Sequence, residues 1–268
     1  MTLITDSVLQ AAKDIRIVFF DVDDTLKVKN TAYLPDSAAE AITRLQDAGY
    51  LTAIATGRSY YALPDDIKAL GADYYVTING QYALTSTGAS IYKNPITPSA
   101  ITILTQWADS LGISYGFVGA NGSAISKWSD YARGALSNVH DDLPIDKFFY
   151  IDNDVFQMWL FTQDELELPP AVTGAIRILR WHEYAYDVIP RTGSKAKGIA
   201  AVVKRLGLTA DNAMAFGDEL NDLEMFDYVG LSVAMGNAHL ELKKRADVTT
   251  LDLTDDGILH ALEKLGMI

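Results

Sequence analysis

The chain has 268 residues, of which 49% are hydrophobic and 21% are charged, a composition typical of a globular protein with enough apolar side chains for a core. Its formal net charge of −13 argues against a surface that binds nucleic acid or an anionic membrane. Because the chain has no cysteine, it has no disulfide, no thiolate nucleophile and no cysteine-built zinc site. The first fifteen residues lack the layout of a signal peptide and no apolar run reaches membrane-spanning length, so we expect a soluble, cytoplasmic protein.

Both ends of the chain alternate strand and helix patterns. In the amino-terminal part, strands are predicted at 17–20, 51–55 and 74–78, and helices at 36–48 and 60–70. In the carboxyl-terminal part, strands are predicted at 213–216 and 231–234, and helices at 195–206, 219–228 and 258–265. Strands that alternate with helices indicate an α/β fold with a parallel sheet.

The middle of the chain, from 81 to 187, has a different pattern. It contains a turn at Ser86-Thr87-Gly88, a predicted helix at 99–111, glycine-rich turns at 116–122 and an apolar run at 155–161. It has no acid-rich strand end, and it is too long for a loop. We therefore predict a second, inserted domain of mixed α+β character at 81–187, between two parts of the α/β core at 1–80 and 188–268.

Three carboxylates follow the first predicted strand, in the run Asp21-Val22-Asp23-Asp24-Thr25-Leu26. The strand is apolar throughout, as in strands buried on both faces, and open α/β sheets bind ligands at the carboxyl ends of their strands. Two unit charges about 4 Å apart repel by roughly 4 kcal/mol at an effective dielectric near 20, so converging carboxylates need a cation or a shared proton. Mg²⁺ is the natural candidate, because it prefers oxygen ligands in octahedral geometry.

Three further polar motifs fall at predicted strand ends or helix starts. Thr56-Gly57-Arg58 follows the strand at 51–55, where a hydroxyl and free backbone N–H groups can hold phosphate oxygens. Gly193-Ser194-Lys195 opens a helix and places a positive charge at an anion site. Gly217-Asp218-Glu219-Leu220-Asn221-Asp222 follows the strand at 213–216, where Asp218 can ligate a cation and Asn221 can donate to a phosphate. If the strands are parallel, all these groups lie on one edge of the sheet.

Each of these residues also has a structural interpretation. The alternatives are a capping role for Asp23, Asp24 or Asp218, a turn role for Thr56, a solvated position for Lys195, a surface ion pair for Arg58, and an exposed helix face for Asn221 and Asp222. Together, the four motifs are a much stronger signal than any one of them alone.

The order and spacing of these motifs resemble the haloacid dehalogenase (HAD) superfamily. Its four motifs are an Asp-x-Asp-x-Thr strand end, a Thr or Ser after the second strand, a Lys, and a Gly-Asp-x-x-x-Asp loop. The long insert, with Asn79-Gly80 before it and Met235-Gly236-Asn237-Ala238 near the end of the chain, is similar to the Cof-type subgroup with a C2B cap. The resemblance covers essentially the whole chain and implies a Rossmann-like core with an inserted cap domain. Asp24 is a departure, since this subgroup more often has Gly there.

The resemblance also implies a role for each motif residue. Asp21 would attack phosphorus and form an aspartyl-phosphate, while Asp23 would protonate the leaving oxygen and then deprotonate the attacking water. The implied metal ligands are Asp21, the backbone carbonyl of Asp23, and Asp218, with Asp222 close behind. The implied phosphate-binding groups are Thr56, Lys195, Asn221 and the backbone amides of Val22 and Gly57.

The predicted function is therefore that of a Mg²⁺-dependent phosphatase acting on a small phosphorylated metabolite, such as a sugar phosphate or a phosphorylated cofactor. Neither nucleic acid nor a membrane is an expected partner. Two alternatives stay open: a phosphomutase, which would use the same residues, and a non-catalytic phosphometabolite-binding module. The second would have no reason to keep Asp21, Asp23, Asp218 and Lys195 together.

Overall fold

The computed structural model describes residues 4–137 and 142–268. The chain forms two compact units. The first, which we call the core unit, consists of Met1–Arg58, Ala62–Tyr92 and Ser194–Ile268. The second, which we call the inserted unit, consists of Ser59–Tyr61 and Lys93–Gly193.

Both units contain β-strands. In chain order they are β1 (Ile17–Phe20), β2 (Leu51–Ala55), β3 (Tyr74–Thr77), β4 (Tyr82–Thr85), β5 (Ser90–Lys93), β6 (Ser114–Val118), β7 (Ser123–Ile125), β8 (Gln157–Phe161), β9 (Ile176–His182), β10 (Ala185–Pro190), β11 (Ala213–Gly217), β12 (Leu231–Ala234) and β13 (Val248–Thr249).

The helices are short to medium in length. In chain order they are α1 (Asp6–Asp14), α2 (Asp36–Asp47), α3 (Asp65–Ala69), α4 (Pro98–Ser110), α5 (Asp130–Leu136), α6 (Phe149–Asp152), α7 (Lys195–Arg205), α8 (Leu223–Tyr228), α9 (Leu240–Arg245) and α10 (Gly257–Lys264). Single 3₁₀ turns occur at Tyr60–Ala62, Ala210–Asn212, Leu220–Asp222 and Leu253–Asp255. Among the described residues, no helix is both long enough and apolar enough to cross a membrane.

The core unit is built on one eight-stranded sheet in the order β13-β12-β11-β1-β2-β3-β4-β5. Every pairing from β13 to β3 is parallel, and β4 runs antiparallel to β3. Parallel neighbours need crossover connections, and the chain supplies them with helices such as α2 between β1 and β2. The α/β fold class with a mostly parallel sheet is confirmed.

The central strand, β1, explains why the sheet forms at this place. All four of its side chains are buried, and Ile17 is paired with Leu51 on one side and Ala213 on the other. The ring of Phe20 stacks on Phe216 of β11, with ring centres 5.2 Å apart. Full burial of each such side chain contributes about 1.5–3 kcal/mol, so this apolar run stabilises the strand that leads into the acids.

Two helices predicted as continuous are each divided. The segment at 60–70 forms a 3₁₀ turn and then α3, because Pro64 has no N–H to continue a helix and disfavours the helical conformation of Leu63. The segment at 219–228 likewise begins with a 3₁₀ turn, and α8 follows it. In this second case the division has a local cause, since the carboxylate of Asp222 folds back onto the backbone N–H of Glu219.

The inserted unit has its own sheet, in the order β7-β6-β8-β10-β9, with antiparallel pairings. Helix α4 packs on one face of this sheet, and the shared core includes Leu104, Phe117, Met158 and Val188. The predicted limits of the insert, 81–187, differ from the limits of this unit, because β4 and most of β5 extend the core sheet. Strands β4 and β5 form a hairpin with the predicted turn at 86–88, and β4 pairs with β3 of the core sheet.

Candidate active site

The polar motifs lie where neighbouring parallel strands end. Asp21 follows β1, Thr56 follows β2, and Asp218 follows β11, and these three strands are adjacent in the sheet. Carboxyl ends of parallel strands point the same way, so one edge of the sheet carries all three residues. The sequence prediction that these motifs share an edge agrees with the described fold.

Lys195, the first residue of α7, bridges two carboxylates. Its Nζ donates to Asp21 Oδ1 at 2.7 Å and to Asp222 Oδ1 at 2.6 Å, and the residue is only 1% exposed. Burial lowers the pKa of Lys195, but the attraction of Asp21 and Asp222 outweighs it and leaves the pKa above its usual value. Lys195 is therefore a buried cation at the strand ends, and the alternative of a solvated helix lysine is wrong.

A left-handed turn after β3 makes room for this lysine. Ile78, Asn79 and Gly80 have φ angles of 53°, 51° and 83°. A Cβ on residue 80 would lie 2.0 Å from the carbonyl oxygen of Ser194, so only glycine lets α7 begin at this point. Positive φ at Ile78 is costly for a β-branched residue, and strain of this kind concentrates at functional sites.

The acidic loop after β11 is folded around the carboxylate of Asp222. Asp222 Oδ2 accepts from the backbone N–H groups of Asp218 at 3.0 Å and Glu219 at 3.2 Å. A Cβ on residue 217 would lie 2.6 Å from the same oxygen, so Gly217 allows the close approach. Asp222 is fully buried, and its predicted alternative, an exposed helix face, is wrong.

Asp21, Asp218 and Asp222 form a compact group of oxygen donors. One carboxylate oxygen from each lies within 4.8 Å of the others. Burial raises the pKa of Asp21 to about 7 although Lys195 opposes the shift, and burial together with the charge of Asp21 raises the pKa of Asp218 to about 8. Burial is the main cause of both shifts, and the attraction of Lys195 only partly offsets it.

This donor set fits Mg²⁺, because it consists of oxygens and carries excess negative charge. Asp21 and Asp218 suit direct ligation. Asp218 Oδ1 accepts from Thr25 Oγ1 at 2.7 Å, which orients its carboxylate. Both oxygens of Asp222 already accept hydrogen bonds, so Asp222 suits a position behind the ligands.

Asp23 is paired with Arg58, for which the sequence analysis gave a surface ion pair as the structural alternative. Arg58 Nε donates to Asp23 Oδ2 at 2.9 Å and Arg58 Nη2 to Asp23 Oδ1 at 2.7 Å, a bidentate contact. Hydrogen bonding to Asp23 is the main cause that raises the pKa of Arg58 above its usual value. The guanidinium therefore fixes the orientation of the carboxylate next to Asp21. The sequence contained one signal for this pairing: Arg58 stands two residues after Thr56, at the end of the strand next to the one that Asp23 follows.

Of the remaining predicted residues, Gly57 and Asn221 line a small cavity of about 170 Å³. Its lining residues are Asp21, Asp23, Asp24, Lys29, Gly57, Arg58, Asp218, Glu219 and Asn221. Thr56 is buried beside Gly57, and its Oγ1 accepts from the Arg58 N–H at 3.2 Å. Val22 is also buried, and its carbonyl accepts from three backbone N–H groups of the turn that follows. The structure thus gathers every predicted site residue in the core unit.

Asn79 is a second residue whose place in the site was not anticipated. Asn221 Nδ2 donates to Asn79 Oδ1 at 3.3 Å, and a Cβ on residue 57 would lie 3.1 Å from the same oxygen. The sequence analysis used Asn79 only to place the start of the insert and as part of the resemblance to the Cof-type subgroup, and it gave Asn79 no role in the site. Its amide links the turn after β3 to two of the predicted phosphate-binding residues.

Comparison with known proteins identifies the family. A family model described as haloacid dehalogenase-like hydrolase matches residues 18–262. The chain is 36% identical over 258 residues to the "Putative phosphatase YkrA" of Bacillus subtilis, covering 95% of this chain and 99% of that protein. It is 42% identical over 259 residues to a "Putative bifunctional phosphatase/peptidyl-prolyl cis-trans isomerase" of Streptococcus pyogenes, covering 96% of this chain but only 55% of that longer protein.

A solved structure extends the comparison to the fold. The HAD subclass IIB sugar phosphatase BT4131 aligns with a TM-score of 0.82 and 27% identity, covering 94% of this chain and 100% of that one. The chain belongs to the haloacid dehalogenase-like hydrolases. The predicted Cof-type assignment and the predicted enzyme class, a phosphatase, are confirmed.

Proposed function

We propose that this phosphatase hydrolyses a small phosphorylated metabolite with the help of Mg²⁺, through an aspartyl-phosphate on Asp21. The observation that carries the proposal is the buried bridge of Lys195 between Asp21 and Asp222, with Asp218 beside it and a cavity in front. A nucleophilic carboxylate needs its charge balanced without losing access to phosphorus. This arrangement provides that balance at a strand end open to a ligand.

The metal would be held by Asp21, Asp218 and the backbone carbonyl of Asp23, with Asp222 positioning the loop behind them. When bound, Mg²⁺ would neutralise charge between the carboxylates and the phosphoryl group. The raised pKa values of Asp21 and Asp218 support this assignment, because a divalent cation would replace the protons that these groups otherwise retain.

Asp21 is the proposed nucleophile. One of its oxygens forms a bond to phosphorus as the bond from phosphorus to the leaving oxygen breaks. Asp23 donates a proton to that leaving oxygen, then accepts a proton from the water that attacks the phosphorus of the aspartyl-phosphate. Inorganic phosphate leaves and Asp21 is restored, so atoms and charge balance over the cycle. Both oxygens of Asp23 accept from Arg58, so one of these two hydrogen bonds would have to open for that oxygen to carry the transferred proton, while the other would keep the carboxyl oriented.

The other site residues would hold the phosphoryl oxygens. Lys195 supplies a positive charge within reach of Asp21, and Thr56, Asn221 and the backbone N–H groups of Val22 and Gly57 supply hydrogen-bond donors. Lys195 and Asn221 would need little reorganisation during the reaction, since Asp222 and Asn79 already hold their side chains.

We also propose that the inserted unit serves as a cap that selects the substrate. It contains none of the acid, threonine or lysine motifs, and it is a separate compact unit with its own core. The name of BT4131 as a sugar phosphatase supports a sugar phosphate as one substrate class. A phosphorylated cofactor is the other class proposed.

A metal-substitution experiment tests the proposal. After chelation and readdition, we expect Mg²⁺ to restore phosphate release from an aryl phosphate, and Ca²⁺ to support a rate at least about 100-fold lower. Calcium prefers more ligands and longer bonds, which moves the nucleophile and phosphorus out of line. Circular dichroism of both samples controls for folding. Equal turnover with Ca²⁺, or full activity after exhaustive chelation, would contradict the proposed site.

A further inference from the structure

The loop after β12, residues 235–239, contacts both acidic loops of the candidate site. The N–H of Met235 donates to Gly217 O at 3.0 Å, and the N–H of His239 donates to Asp218 O at 2.7 Å. This loop also packs tightly against the segment that follows β13, since a Cβ on residue 236 would lie 2.3 Å from Asp252 Oδ1. The backbone of this loop therefore contacts both the end of β11 and the segment after β13.

Asn237 extends these contacts to the loop that carries the proposed nucleophile. Its Nδ2 donates to the backbone carbonyl of Asp24 at 2.8 Å, and its Oδ1 accepts from the N–H of Leu253 at 3.0 Å. One amide thus joins the loop after β1 to the segment after β13. Both of these hydrogen bonds of the side chain are made to backbone groups, so their effect on the site passes through the backbone.

The backbone that Asn237 holds is in an unusual conformation. Asp24 has a φ of 61°, in the left-handed region, where residues other than glycine are uncommon. The carbonyl of Asp23, a proposed Mg²⁺ ligand, belongs to the peptide that leads into Asp24, so its direction depends on this φ. A hydrogen bond to the carbonyl of Asp24 fixes the next peptide, Asp24–Thr25, and acts on the ligand-carrying peptide only through the backbone angles of Asp24.

We propose that Asn237 is a positioning residue for metal binding: with the His239 N–H, it holds the Asp24–Thr25 peptide and the Asp218 loop at a fixed separation, and it thereby limits the direction of the Asp23 carbonyl one peptide earlier. The inference rests on the Mg²⁺ site of the proposed function. Hydrogen-bond partners that orient metal ligands typically account for 10- to 100-fold in metal affinity. Asn237 contacts the carbonyl of Asp24, one peptide beyond the proposed Asp23 ligand, and occupies no ligand position itself.

Isothermal titration calorimetry with MgCl₂ tests this without any turnover. We expect Asn237→Ala to raise the Kd for Mg²⁺ about tenfold. The matched control is Asn212→Ala. Asn212 lies directly before β11, at the amino ends of the parallel strands and therefore away from the candidate site. Asn212 makes the same two kinds of contact, donating to Asp14 O at 2.8 Å and accepting from the Thr209 N–H at 3.1 Å. Its loss should leave the Kd unchanged.

An unchanged Kd in Asn237→Ala, with Mg²⁺ binding to the unsubstituted chain intact, would overturn this inference and leave the proposed function standing. If the unsubstituted chain bound no Mg²⁺, both would fall. Should Asn237→Ala not fold, Asn237→Asp keeps the size of the side chain and the acceptor for Leu253. Its added negative charge alone would strengthen cation binding, so a raised Kd would identify the lost donor, and an unchanged or lowered Kd would overturn the inference.

Discussion

Replacement of Lys195 by Met is expected to lower the free energy of unfolding by about 3–5 kcal/mol in the absence of metal, the cost of breaking a buried ion pair by removing one partner. The ammonium lies between Asp21 and Asp222 and is almost completely excluded from solvent. Met is similar in length but neutral, so the carboxylates would remain buried without a counter-charge. Urea unfolding after chelation measures the loss, and addition of Mg²⁺ should recover part of it.

The same helix offers the control for this experiment. Lys197 lies two residues further along α7 and is exposed. Lys197→Met makes the same chemical change at the surface, where substitutions usually stay within about 0.5 kcal/mol. If the two variants lost the same free energy of unfolding, the buried bridge of Lys195 would not have the role assigned to it.

Replacement of Asp21 by Asn should reduce kcat by about 10⁴-fold or more, because the amide cannot form the phosphoryl intermediate. Asn is nearly the same size, and Lys195 keeps its contact with Asp222, so we expect the melting temperature to change little. Lys195→Met therefore tests the stability of the site, and Asp21→Asn tests its chemistry. Initial rates with an aryl phosphate and thermal unfolding, measured on the same preparation, check both expectations.

Asp73→Asn is the matched control for Asp21→Asn. Asp73 lies just before β3, at the amino ends of the parallel strands. Its Oδ2 accepts from the N–H of Thr52 at 2.9 Å. An amide oxygen can keep that hydrogen bond, so kcat should be preserved. A loss of kcat in Asp73→Asn comparable to that in Asp21→Asn would mean that the effect arises from general disturbance of the sheet.

Much of the core fold was predictable because its strands are short apolar runs ended by polar or glycine residues. The strands Ile17–Phe20, Leu51–Ala55 and Leu231–Ala234 have the predicted bounds. The hairpin of β4 and β5 was assigned to the insert instead of the core. Its sequence shows that two strands are joined by a turn, but the choice of β3 as a partner depends on tertiary packing.

The candidate site was predictable as a set of motifs but not as a set of contacts. The acids, Thr56 and Lys195 stand at positions where chain direction alone brings them to one edge. The pairing of Arg58 with Asp23 depends on the direction of a long side chain, which no local pattern specifies. Asn79 and Asn237 entered the sequence analysis through the subgroup resemblance without a role in the site, and their contacts were not predictable because an amide in a loop is usually a turn residue.

The central claim is that Asp21 becomes phosphorylated during turnover, and trapping the phosphoenzyme tests it most directly. In Asp23→Asn, an aryl phosphate with a good leaving group needs no proton donor for the first step, whereas water attack on the intermediate loses its base. We therefore expect a burst of leaving group and, after rapid acid quench and peptide mass analysis, one phosphoryl group on the peptide that carries Asp21. A burst of leaving group without that adduct would contradict the assignment of Asp21 as nucleophile.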